Sequence, residues 1–244
     1  MGDIRMENIR IADESLKYIL FQRTDYLTNN QIRNLLRQVG RIGLLFKPAL
    51  EIESLLLRNS IKKAFSEDMH QEYEKIKNYL PPCASSILDI GCGVAGIDIF
   101  LSRHYANEAN ILLLDKTIID DKVYYGYQHK GSFYNSLLIA QSLLINNGVD
   151  PNKIHLLEAT KDYEIEFKVN VDIVISLVSW GFHYPVQTYV DRVYEKLNTN
   201  GIVILDVRKN TDGRKHIEKK FGNSKIICEA QKFLRILAQK QCEG

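Results

Sequence analysis

The sequence predicts an α/β fold, a seven-stranded and mostly parallel sheet with helices on both faces, preceded by a helical N-terminal extension. Three observations carry that reading. From Ser85 onward, short β-rich runs alternate with helical stretches, and the runs are apolar almost end to end, as strands covered on both faces must be. The first eighty residues show helical periodicity only, and this region ends at Pro81-Pro82. A glycine-rich turn, Gly91, Gly93 and Gly96 in G-x-G-x-x-G spacing, joins the first strand to its helix, where sheets of this class place ligands.

The elements follow in order. SLKYILFQRTDYL, NQIRNLLRQVGRIGLLF, ALEIESLLLRNSIKKAF and MHQEYEKIKNYL place apolar residues at helical spacing, with Asn29, Asn30 and Pro48 as breaks. Then come SILDI with GIDIFLSRHYA, NILLLD with SFYNSLLIAQSLLINNG, KIHLLEA, VDIVISLV with VQTYVDRVYEKLN, and GIVILDV with a charged helix near Thr211 to Phe221. SKIICEA and FLRILAQ complete seven strands. The expected organisation is a helical cap over 1–80 and a ligand-binding domain over 81–244.

Composition narrows the function classes. The chain has 244 residues, 45% of them hydrophobic and 25% charged, enough for one sizeable core. A formal net charge of +2 is too small to argue for nucleic acid, and no apolar run is long enough to cross a bilayer. The start, MGDIRMENIRIADESLKY, lacks the basic head and apolar block of a signal peptide, so a cytoplasmic location is expected. Cys83, Cys92, Cys228 and Cys242 lack metal-ligand spacing and read as free thiols.

The glycine turn fits two cofactors until its neighbours are weighed. Asp115 lies about 20 residues beyond it, as in a dinucleotide-binding turn. Two residues before Gly91, however, stands Asp89, where a pyrophosphate would meet repulsion. A carboxylate there suits a cofactor with a cationic end, and S-adenosylmethionine carries an ammonium and a sulfonium. Gly91 and Gly93 would let the backbone approach that cofactor, and Asp115 would accept its two ribose hydroxyls, with Lys116 covering the ribose edge.

LDIGCGVAG, followed by LLLD after the next strand, resembles the first two motifs of the class I S-adenosylmethionine-dependent methyltransferases. The resemblance runs from about Ser85 to the end of the chain. It implies a Rossmann-like sheet of strand order 3-2-1-4-5-7-6, whose last two strands, SKIICEA and FLRILAQ, form an antiparallel hairpin. It also implies an acid near the adenine after the third strand, for which Glu158 is the candidate and Asp162 a competitor. Cys92, between the glycines, reads as a small buried residue and not as a nucleophile.

The acceptor belongs where the fourth strand ends, in SLVSWGFHYPVQTY. His183 is the candidate general base, because its ordinary pKa suits taking a hydroxyl proton near neutral pH. Trp180 and Tyr184 are candidate acceptor contacts, with Trp180 and Phe182 as walls that exclude water. After the fifth strand, Asp206 and Arg208 alternate toward one side, and Arg208 could receive an acceptor phosphate or carboxylate.

The long segment KTIIDDKVYYGYQHKGSFYN offers Tyr124, Tyr125, Tyr127 and His129 as stacking surfaces. Its Asp120 and Asp121 lack a third ligand, so no metal is assigned. FHYP with the amphipathic helix after it, the YNSLLIA helix and the N-terminal cap resemble sugar O-methyltransferases of bacterial polysaccharide pathways, and the resemblance implies methyl transfer to a small-molecule acceptor, a hydroxyl of a sugar or related metabolite. The alternative is an RNA-modifying enzyme, or a non-catalytic nucleic-acid binder, using the basic region from Arg214 to Lys240. The N-terminal helices have more apolar face than they need for one another, so they pack on the core or on a second copy in a homodimer.

Overall fold

The computed structural model describes residues 8–22, 26, 56–117 and 135–242. Strands β1 (Ser86–Ile90), β2 (Asn110–Asp115), β3 (Ile154–Glu158), β4 (Val171–Ser176), β6 (Leu197–Arg208), β7 (Lys225–Glu229) and β8 (Phe233–Gln239) form one sheet in the order β3-β2-β1-β4-β6-β8-β7. A further short strand, β5 (Ser179–Tyr184), stands outside that sheet and packs against β6. With β5 set aside, the order is the 3-2-1-4-5-7-6 that the motifs imply. Only β8 runs antiparallel to its neighbours, pairing β6 on one side and β7 on the other.

The central strands are buried on both faces because each is apolar at nearly every position. In β1 all five residues are buried. Ile87 joins the core on one face, while Leu88 and Ile90 join the core on the other. Parallel register sets Ile87 beside Ile111 and Ile173, stacking β-branched side chains across three strands.

Helices α1 (Leu16–Gln22), α2 (Arg58–Ile76), α3 (Gly96–His104) and α4 (Leu137–Asn146) cover the first face. Helices α5 (Val190–Lys196) and α6 (Gly213–Phe221) cover the second. The α2 residues Ile61, Phe65, Met69, Tyr73 and Ile76 recur at three- and four-residue spacing and are all buried. Tyr73 stacks on Phe100 of α3 with ring centroids 5.7 Å apart. At Gly96 a Cβ would stand 2.4 Å from the Phe65 ring and 2.8 Å from Met69, so the missing side chain is what admits α2. The N-terminal helices therefore share one core with the sheet, and α2 lies directly over the start of α3. No helix among the described residues is long and apolar enough to cross a membrane.

Candidate functional site

The turn after β1 is shaped by two left-handed glycines. Gly91 has φ of 75° and Gly93 of 57°, and the Gly91 amide donates to the Leu114 carbonyl at 2.7 Å, tying the turn to β2. A Cβ on Gly91 would stand 1.9 Å from Ser179 Oγ, and one on Gly93 would stand 2.6 Å from Gln22 Oε1. Dihedral angle and space both call for glycine at these two positions. Ser179 from β5 and Gln22 from α1 thus flank the turn, although neither stands out in the sequence.

Asp115 closes β2 beside this turn. Its Oδ2 accepts from the Gly93 amide at 2.8 Å and from Asn135 Nδ2 at 3.0 Å, and its Oδ1 accepts from the Lys116 amide at 2.6 Å. Burial pushes its pKa up to about 6 despite those three donors. Glu158 lies opposite Asp115 in the β2–β3 register, and its Oε1 accepts from the Thr117 amide at 2.7 Å.

Asp89 is buried on β1, and Asp98, fully buried in the first turn of α3, lies within hydrogen-bond reach of it. Burial, then the neighbouring acids Asp98 and Asp115, push Asp89 well above the ordinary carboxyl range. Burial pushes Asp98 up to about 7. Cys92 is buried between the glycines, and burial with three nearby carboxyls pushes its thiol up, which leaves it a poor nucleophile.

The acceptor-side candidates divide into two groups. Trp180 is completely buried, its indole Nε1 donating to the Val186 carbonyl at 2.9 Å. Its amide donates to Ser176 Oγ at 2.9 Å, and that hydroxyl donates to the Ile90 carbonyl at 2.6 Å. These bonds lock β5 to the ends of β4 and β1. Asp206 is also completely buried, and Arg235 of β8 donates to both its oxygens. Trp180 and Asp206 belong to the framework and are not brought to an open surface.

Phe182, His183, Tyr184 and Arg208 do come together. His183 packs edge-on against Phe182 with ring centroids 4.9 Å apart, and the Arg208 guanidinium lies 5.0 Å from the centre of the Phe182 ring. Burial first, then the Arg208 charge, lowers the His183 pKa, so the imidazole is neutral at pH 7. A groove of about 280 Å³ is lined by Phe182, Tyr184, Arg208, Gln187, Gly213 and His216, among others, and His183 is not among its lining residues. Gln187 Nε2 and His216 Nε2 are 2.6 Å apart across it. Tyr124, Tyr125, Tyr127, His129, Asp120 and Asp121 lie outside the described residues. Among the described residues no cluster of three or more His, Cys, Asp or Glu is placed to hold a metal ion.

Comparisons with known proteins place the fold. No protein-family model matches the chain, and no curated protein matches its sequence. Among solved structures it resembles the T. thermophilus 16S rRNA N2 methyltransferase in complex with AdoMet and guanosine, with TM-score 0.51 and 18% identity over 69% of this chain and 41% of that one. It also resembles a candidate O-methyltransferase from Nostoc punctiforme, with TM-score 0.52 and 13% identity over 75% of this chain and 59% of that one. The chain thus matches less than two thirds of either neighbour's length, and what the two share with it is the fold.

Proposed function

On the class I S-adenosylmethionine-dependent methyltransferase fold that this chain adopts, we propose an enzyme that binds S-adenosylmethionine at the β1 turn and methylates a hydroxyl of a small-molecule acceptor, a sugar or related metabolite. The single observation that carries the reading is the grouping of a buried acid, Asp89, and a half-buried one, Asp115, around two left-handed glycines. Asp89 and Asp115 bracket Gly91 and Gly93 at the carboxyl edge of a parallel sheet. A dinucleotide's pyrophosphate would be held off by any ionised member of this group of acids, whereas a cation favours their ionised form and is drawn to it. Asp115 would accept the ribose hydroxyls, Lys116 would border them, and Glu158 would receive the adenine edge.

When bound, the cofactor supplies a methyl group already activated by its sulfonium. The work left to the protein is to align the acceptor oxygen about 3 Å from that methyl, keep water out, and remove the acceptor proton. His183, neutral at pH 7, takes the proton. Arg208 and Tyr184, lining the groove, orient a polar acceptor.

The region from Arg214 to Lys240 gives little support to a nucleic-acid partner. Arg214 bonds Glu218 and Ser224, Lys215 pairs with Asp212, and Lys220 pairs with Asp191. Lys240 donates to the carbonyls of Tyr194 and Leu197. Several of the charges a phosphate backbone would need are thus engaged within the chain. The deciding experiment is incubation with methyl-labelled S-adenosylmethionine and a metabolite extract, followed by mass identification of the product. Label on the oxygen of a small molecule is expected; label on RNA alone would overturn the acceptor assignment.

A further inference from the structure

Three carboxyls crowd the first turn of the site, and no cation is among the groups that act on Asp89 and Asp98. Asp89 comes from β1, Asp98 from α3 and Asp115 from the end of β2. The charges acting on Asp89 are those of Asp98 and Asp115, and the side chain acting on Asp98 is Asp89. The Cys92 thiol faces all three. Helix α2, packed over this face, presents the apolar Phe65 and Met69 to the start of α3.

Elsewhere the chain treats a buried acid differently. Asp206 and Glu72 share the Arg235 guanidinium, with Arg235 Nη1 2.6 Å from Glu72 Oε2. Where burial serves structure, the fold supplies a counter-charge. Among the described residues none stands at Asp98. Asp98 is completely buried, and its carboxyl has no hydrogen-bonding neighbour there beyond the Asp89 carboxyl and its own backbone. Nearby, the buried Asn135 turns its Nδ2 to Asp115 and leaves its Oδ1 without a partner, a second polar atom awaiting one. Two carboxyls in contact away from water cannot both ionise unless a cation joins them, so they hold a proton until one arrives.

We propose that Asp98 is a second carboxyl of the subsite that receives the ammonium of the cofactor's amino-acid end, and that this ammonium enters in exchange for the proton Asp98 shares with Asp89. The inference rests on the S-adenosylmethionine reading above. Burial that pushes Asp98 up to about 7 keeps the pair protonated when no ligand is bound at slightly acid pH, and an ammonium drives it toward the ionised form. Binding then releases a proton. The affinity rises with pH until the pair is ionised without the ligand.

The test is calorimetric titration of the full chain with S-adenosylhomocysteine in two buffers of different ionisation enthalpy. 5′-Methylthioadenosine, which keeps the adenosine and sulfur but lacks the amino-acid end, is the control. At pH 6.5, S-adenosylhomocysteine should release roughly one proton more than the control, and its affinity should rise about five- to tenfold more than the control's between pH 6 and 7, the ribose contact with Asp115 being common to both. Asp98→Asn should abolish that extra release and flatten the rise. The wild-type comparison stands without the variant. Equal proton release by both ligands, or an Asp98→Asn protein that releases protons as the wild type does, would overturn the inference while leaving the cofactor reading intact. Failure of S-adenosylhomocysteine to bind at any pH would sink both.

Discussion

Arg235 grips Asp206 through two hydrogen bonds, Nε to Oδ1 at 2.7 Å and Nη2 to Oδ2 at 2.9 Å, and the two residues stand directly opposite each other on β8 and β6. Burial raises the Asp206 carboxyl and opposes the Arg235 charge, but Asp206 and Glu72 outweigh burial at Arg235 and raise its guanidinium, which stays charged between the two acids. Glu72 of α2 completes the cluster and ties the N-terminal helix to β6 and β8 on the face of the sheet that it covers. Replacing Arg235 by Ala leaves two buried acids without their counter-charge. The expected loss is roughly 3–5 kcal/mol in urea unfolding. A loss below about 1 kcal/mol, the scale of an exposed pair, would show that the cluster is not stabilised as described.

Asp98 gives a pH-dependent prediction of the opposite sign. Its folded pKa, about 7, lies above the ordinary value of 3.8, so between those values the folded chain holds a proton that the unfolded chain has lost. Stability contributed by this group therefore falls as pH rises from about 4 to about 7. Asp98→Asn removes that term. The variant should gain on wild type across this window, reaching roughly 1–3 kcal/mol in unliganded protein at pH 7.5. Denaturant midpoints measured at pH 5 and pH 7.5 check it; a difference between the two proteins that does not change with pH would refute the assignment.

The two glycines should fail differently. At Gly91 a Cβ collides with Ser179 near its backbone, whereas at Gly93 it meets the tip of the Gln22 side chain, which can swing away. Both positions have positive φ, so either alanine carries backbone strain of roughly 1–2 kcal/mol. Gly93→Ala should fold and lose cofactor affinity, while Gly91→Ala should also lose stability beyond the strain. Thermal melts with and without S-adenosylhomocysteine separate these outcomes. Equal melting losses in the two variants would contradict the difference in packing.

His183 carries the chemistry of the acceptor side. His183→Ala should lower turnover roughly a hundredfold while leaving cofactor affinity near wild type. Because burial and Arg208 lower its pKa, activity should persist to a lower pH than an ordinary histidine allows and fall only below that. Should the alanine variant keep its turnover and lose only acceptor affinity, His183 would be a binding residue.

What could be read from the sequence was local. Asp89, Gly91, Gly93 and Asp115 are recognisable because a strand, a turn and the end of the next strand fix their spacing. The strand order was implied by the family resemblance that those motifs carry. Asp98 was not singled out, because an acid in the first turn of a helix already has an ordinary reading as a partner of the helix dipole. Ser179, Gln22 and Asn135 reach the site through packing between distant elements, for which the sequence holds no periodic signal. Trp180 illustrates the opposite error. An aromatic cluster at a strand end looks the same whether its rings face a ligand or the core, and only the bond from its indole to Val186 decides. Asp206 required its cross-strand partner, set by the register of a hairpin.

The central claim is that the β1 turn holds S-adenosylmethionine through Asp115. Titration of S-adenosylhomocysteine into wild type and into Asp115→Ala, with NAD as competitor, tests it most directly. Saturable one-to-one binding that NAD does not displace is expected, weakened by roughly 1–3 kcal/mol in a variant that remains folded. Unchanged affinity in Asp115→Ala, or displacement by NAD, would contradict it.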